Sequence, residues 1–138
     1  MAKLWQKNIK LNDLIETFTV GVDYVLDQKL VYSDCMASLA HATMLQSIDI
    51  LTKEDLDSIE KGIKSIIKLK KSEDFPILKS DEDGHTAIEN HLVKEVGEAG
   101  KKIHTGRSRN DQVITAIRLY ARDFLLVFMK ELNLLIEE

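Results

Sequence analysis

Along most of the chain, apolar residues recur at intervals of three and four, the spacing of one helical face, and no alternating strand pattern survives a count. A first helix is predicted from about Asn12 to Thr19, with Asn12 as N-cap, Leu14, Ile15 and Phe18 on one face, and Gly21 as its stop. A second is predicted from Asp27 to Ser47, with a stripe of Leu30, Met36, Ala37, Ala40, Met44 and Leu45. The small Ala37, Ala40 and Ala42 invite close approach by a neighbour. The third has the clearest pattern: Thr52 as N-cap, Glu54 and Asp55 in the first turn, then Leu56, Ile59, Ile63, Ile66 and Ile67, closed by Lys68, Lys70 and Lys71. That lysine run reads as a solvated helix end. A loop, Ser72 to Asp83, carries the only proline, Pro76. Ala87, Ile88, His91 and Leu92 mark a fourth helix. It starts at Thr86, whose spacing to Glu89 fits a capping box, or earlier at the acidic residues, and it ends at Gly97 and Gly100.

After a polar turn, Lys101 to Ser108, a helical pattern runs from Arg109 to Glu138 without a stop signal. Val113, Ile117, Tyr120, Phe124, Phe128, Leu132 and Leu135 form one face, while Leu125, Leu126, Val127 and Met129 add others. A helix apolar on several sides must be surrounded. The preceding helices cover one side at most, so this surface is expected to drive self-association with two-fold symmetry unless the helix kinks near Ala121 and folds back. The expected fold is all-α. A small N-terminal helical domain (1–108) is followed by the first part of a long central bundle helix (109–138).

Composition narrows the function classes. With 44% hydrophobic and 30% charged residues the chain is not of the disordered type. Nineteen basic against 23 acidic residues leave a net charge of −4, so nucleic acid is not an expected partner. No run approaches a membrane span, and the start lacks an apolar core of signal-peptide length. A single cysteine, Cys35, excludes a disulfide framework and suits a reducing cytoplasm; its apolar surroundings mark it as packing.

The chemistry concentrates in His104-Thr105-Gly106-Arg107-Ser108-Arg109-Asn110-Asp111-Gln112. This string places two guanidinium forks and several polar side chains at the mouth of a helix, where unpaired N–H groups and the dipole favour an anion. Gly106 lets backbone approach a ligand, and Ser108 and Asp111 have capping spacing. Read as residues alone, the string fits a carboxylate or phosphate cradle, or an ordinary capped helix start with solvated arginines. His85, just after three acids and a glycine, reads as a capping residue or a ligand. Its six-residue separation from His91 is not one helical face, and no metal is expected. His41 and His91 are expected on helix surfaces or interfaces, and His104 in orienting the turn.

Residue for residue, this string resembles the first signature region of argininosuccinate lyases, within the aspartase/fumarase superfamily. Asp81-Glu82-Asp83-Gly84-His85-Thr86-Ala87-Ile88-Glu89 is similar to the acidic-histidine segment that precedes it, with Gly84 where isoleucine is typical, and Ile50-Leu51-Thr52 resembles the family's turn between helices. The resemblance implies a cofactor-free, metal-free elimination that splits argininosuccinate into arginine and fumarate. It assigns Ser108, Arg109 and Asn110 to substrate carboxylates, places His85 near the substrate, leaves Thr105 as a further candidate, and gives Arg107 a role in shaping the turn. It also implies a cytoplasmic homotetramer whose active sites draw on three subunits. The family's early serine has no clear counterpart in Thr19-Val20-Gly21-Val22-Asp23. Two further signatures, a threonine–histidine pair and a mobile loop carrying the serine base, lie outside these residues, so the chain reads as an N-terminal fragment, inactive alone. Another superfamily lyase, such as adenylosuccinate lyase, is the alternative enzyme, although the paired arginines around Ser108 favour the first. A non-catalytic helical module is the alternative outside enzymes, as in lens crystallins recruited from this family.

Overall fold

The computed structural model describes residues 13–138, and among them the fold is all-α, with no strand. The helices are α1 (Asp13–Val20), α2 (Asp23–Leu26), α3 (Val31–Ser47), α4 (Lys53–Lys71), α5 (Gly84–Val96), α6 (Glu98–Lys101) and α7 (Arg109–Glu137). The expected Asn12 cap lies outside the described residues. Gly21 ends α1 as expected, at a φ of +54°.

The α3–α4 hairpin is the frame. Thr52 caps α4 by accepting from the Asp55 backbone N–H, and the Asp55 carboxylate accepts from the Thr52 N–H in return, which satisfies two donors that a helix start leaves open. Leu56, Ile59, Ile63 and Ile66 then turn one face into the core, against Val31, Cys35, Ala42 and Leu45 of α3 and Ala87, Ile88 and Leu92 of α5. Burial of so many branched side chains is the main stabilising term, about 1.5–3 kcal/mol for each large one. Cys35 is fully buried, and its thiol is pushed far up by burial, with the charge of Asp34 adding. It is packing, not a nucleophile.

Three expectations are corrected, and one that stood open is decided. The second helix begins at Val31, because 27–29 wind into a tight 3-10 turn whose Asp27 carboxylate accepts from the Gly84 N–H. Its buried positions are Val31, Ser33, Asp34, Cys35, Ala37, Ser38, Ala42 and Leu45, so Ala37 and Leu45 face inward as expected, while Met36, Ala40 and Met44 face outward. The inward positions form an equally regular stripe of smaller and partly polar side chains, which a search for large apolar residues passes over. The fourth helix takes the earlier of its two expected starts: Asp83 caps it by accepting from the Thr86 N–H, and Thr86 lies inside the first turn. Gly97 ends α5, but Gly100 belongs to α6, where an added Cβ would lie 2.8 Å from the α5 backbone at Leu92–Val93. Only hydrogen fits there.

The last helix runs unbroken through Ala121. Its buried positions are Gln112 and Ala116, against α3, rather than the larger apolar residues of the expected face. No described helix is long and apolar enough to cross a membrane.

Candidate functional site

The start of α7 is built from its own sequence. Ser108 takes an extended conformation and caps the helix: its Oγ accepts from the Asp111 N–H at 3.3 Å, and Asp111 accepts from the Ser108 N–H and Oγ–H, both at 2.9 Å. These bonds, the backbone one first, hold the Asp111 carboxyl below its ordinary range. The preceding turn reverses at Gly106, whose φ of +69° suits glycine. Thr105 is exposed, donates its Oγ1–H to the Lys102 carbonyl at 2.7 Å, and receives His41 Nε2–H on its own carbonyl at 3.0 Å. Desolvation lowers the His41 pKa, opposed by this bond to Thr105 and reinforced by the nearby charges of Arg107 and His104. His104 pairs through Nε2 with Glu89 of α5 at 3.0 Å, and that contact lowers the Glu89 pKa against the opposing effect of its burial.

The expected site residues divide into two groups. Ser108, Arg109, Asn110 and Thr105 lie at the exposed mouth of α7. Arg109, half-exposed, pairs through Nη2 with Asp83, the cap of α5. The Asn110 side chain makes no hydrogen bond with a described residue. His85 instead lies inside, 6% exposed, with Nδ1 on the Asp34 carboxylate. The ion pair Asp83–Arg109 and the buried contact of His85 therefore both draw α5 toward the α3–α7 seam.

The sequence reading missed the centre of that interior. Asp34 is 1% exposed and accepts from three directions: His85 Nδ1, Gln112 Nε2 at 3.0 and 3.3 Å, and Ser38 Oγ at 3.3 Å. Arg107, expected to shape the turn, reaches Ser38 Oγ with Nη2 at 3.3 Å. Burial lowers its pKa, partly countered by the negative charges of Asp34 and Asp111. Arg107 Nε and Gln112 Oε1 are buried without a hydrogen-bond partner among the described residues. The available signal was polar residues four apart, Asp34 and Ser38, on the apolar side of α3.

His91 lies partly buried, its ring edge-on to Phe75 with centroids 5.6 Å apart. The groove beside it, between Leu69, Phe75, Leu78 and Asn90, contains none of the expected site residues. Among the described residues, no group of three or more His, Cys, Asp or Glu side chains is placed to hold a metal ion. Gly84 is bordered closely: an added Cβ would lie 3.1 Å from Asp27 Cβ and 3.4 Å from Ile77 Cδ1. The space that the family's typical isoleucine needs is therefore narrow in this chain.

A family described as lyase matches residues 6–138. The argininosuccinate lyase of Thermotoga neapolitana is 49% identical over 123 residues, 89% of this chain and 31% of the relative. That of Bacteroides thetaiotaomicron is 44% identical over 120 residues, 87% of this chain and 27% of the relative. That of Caldanaerobacter subterraneus subsp. tengcongensis is 42% identical over 137 residues, 98% of this chain and 30% of the relative. The chain thus spans about 30% of the length of the curated relatives it matches.

Proposed function

The chain belongs to the lyase family, and from that membership we propose that it supplies the carboxylate-binding portion of an argininosuccinate lyase. Residues 1–108 are then the N-terminal helical domain and 109–138 the start of the central bundle. The reaction is an elimination. A base takes a proton from the carbon beside a carboxylate, the charge is held as an aci-carboxylate, and the C–N bond to the guanidinium breaks to release fumarate and arginine. The base and the threonine–histidine pair implied by the resemblance lie outside these 138 residues.

The observation that carries this reading is Arg109. Its guanidinium pairs with the Asp83 carboxylate at the open end of α7 and stays half-exposed, so a substrate carboxylate can reach it or displace Asp83. Ser108 and Asn110 add donors beside it, and such donors stabilise charge gathering on a carboxylate. His85 contacts the substrate from the α5 side, and Thr105 is the outermost candidate. The enzyme is a cytoplasmic homotetramer acting on small molecules, without metal or cofactor. The exposed apolar band of α7 supports the assembly, and the one buried cysteine suits the compartment.

The test is kinetic. The longer protein from the same reading frame should cleave argininosuccinate, followed by fumarate release, while this chain alone should not. In the longer protein Arg109→Lys should lower activity by about one to two orders of magnitude, because lysine keeps the charge but loses the bidentate fork worth about 1.5–3 kcal/mol. Adenylosuccinate cleavage instead would move the assignment to the other lyase. No lyase activity, in a preparation free of host enzyme, would leave a helical module.

A further inference from the structure

Asp34 is neither in the signature string nor beside it in sequence, yet the polar contacts of the site interior converge on it. An ionised carboxylate has no proton to donate, so each partner must donate to it. His85 therefore carries its proton on Nδ1 in the neutral form, and Nε2 is left bare. Nε2 makes no hydrogen bond with any described residue. Gln112 spends its amide N–H₂ on both Asp34 oxygens, which turns its carbonyl the other way, into a position where it is buried and unpartnered. Ser38 donates to Asp34 and accepts from Arg107, so one hydroxyl joins the carboxylate to the 105–108 turn. These contacts bridge residues 51, 69 and 78 positions apart in the chain.

We propose that Asp34 is the positioning residue of this site: a buried carboxylate that fixes the tautomer and orientation of His85 and, through Ser38, seats Arg107 behind the carboxylate-binding mouth. A buried carboxylate costs several kcal/mol in desolvation unless it is well paired, so a site that only needed packing would hold an apolar residue here. What the charge adds is direction. It leaves His85 one free nitrogen, aimed from a rigid helix, and it holds a guanidinium next to the turn from which Ser108, Arg109 and Asn110 project. The proposal rests on the lyase reading only for what His85 then does to a substrate.

The test uses Asp34→Asn, which keeps the shape but can present an N–H to His85. In this 138-residue chain, nitrogen-15 NMR of the histidine rings should show His85 protonated on Nδ1 in the wild type and on Nε2, or as a mixture, in the variant. In the longer protein the variant should raise KM roughly 10- to 100-fold, by analogy with the loss seen when a group that orients a metal-bound histidine is removed. A merely structural role would lower the melting temperature and the active fraction, hence apparent kcat, with KM unchanged. Ser38→Ala guards against misfolding of the first variant. It should leave the His85 tautomer alone and shift the backbone resonances of residues 105–108. An unaltered His85 tautomer in a folded Asp34→Asn chain, or an unaltered turn in Ser38→Ala, overturns the proposal. If the longer wild-type protein lacks lyase activity, the lyase reading falls, and the tautomer measurement still decides the role of Asp34.

Discussion

The two ends of α7 differ in what they bury and what they expose. From Arg109 to Ala116 the helix lies against α3, and its inward positions are an amide, Gln112, and a methyl, Ala116. From Ala121 onward every residue is exposed, including Phe124, Leu125, Leu126, Val127, Phe128 and Met129, each 53–60% accessible. One end thus puts polar groups inside, and the other leaves core-like groups outside. The difference separates two tasks. Hydrogen bonds are directional, so the Gln112 end fixes where side chains sit. Apolar burial is non-directional and scales with area, so the Phe124 end gains stability only by meeting another surface. The site end is held by contacts within the described residues, and the far end presents an uncovered apolar surface.

The largest expected effect breaks the far end. Phe124→Asp combined with Phe128→Asp should weaken self-association by more than about a hundredfold, since each buried phenylalanine contributes about 1.5–3 kcal/mol. Sedimentation equilibrium should find the wild type associated and the variant monomeric, with the His85 environment unchanged. A monomeric wild type at high concentration, with residues 124–129 protected from hydrogen exchange, would show that the segment folds back onto its own domain.

A smaller effect is expected at the anchored end. Ala116 is fully buried at the α3–α7 contact, where there is room for a methyl group. Ala116→Leu should cost about 1–3 kcal/mol through overpacking, a drop of several degrees in the thermal midpoint. Association through the far end should be unaffected. If the substitution also dissociates the protein, the two ends are not independent and the comparison fails.

Much of this was legible in the sequence, and the part that was not shares one cause. The α4 stripe, the Thr52 and Ser108 caps and the unbroken α7 follow from spacing and local hydrogen bonds, which involve residues no more than four apart. Asp34 and Gln112 were missed because their meaning depends on partners 78 residues apart that only the fold brings together. Part of the α3 face, Met36, Ala40 and Met44, was misassigned for a related reason. Size marks a core position only where packing leaves room for size, and Ala42 and Ser38 are buried because their neighbours come close. Within the expected site, the exposed group of Ser108, Arg109 and Asn110 was readable as a helix mouth. The burial of His85 was not, because the feature that holds it is a carboxylate on another helix.

The smallest effect concerns the cap that begins the anchored end. Ser108→Ala removes the Oγ that accepts from the Asp111 N–H, and should cost about 1 kcal/mol, a shift of a few degrees in the thermal midpoint. The other half of the capping box is ionic and therefore depends on pH. Donation from the Ser108 N–H and Oγ–H holds the Asp111 carboxyl below its ordinary range in the folded chain. A group whose folded pKa is depressed contributes its stabilisation fully above its unfolded pKa, about 3.9 for aspartate, and loses it as pH falls through the folded value. Asp111→Asn should therefore lower the thermal midpoint at neutral pH, and the gap to wild type should close as the pH is taken below about 4. A gap that stays constant from neutral to acid pH would mean that the Asp111 charge contributes nothing, and that the α7 start is held by Ser108 and the α3 contact alone.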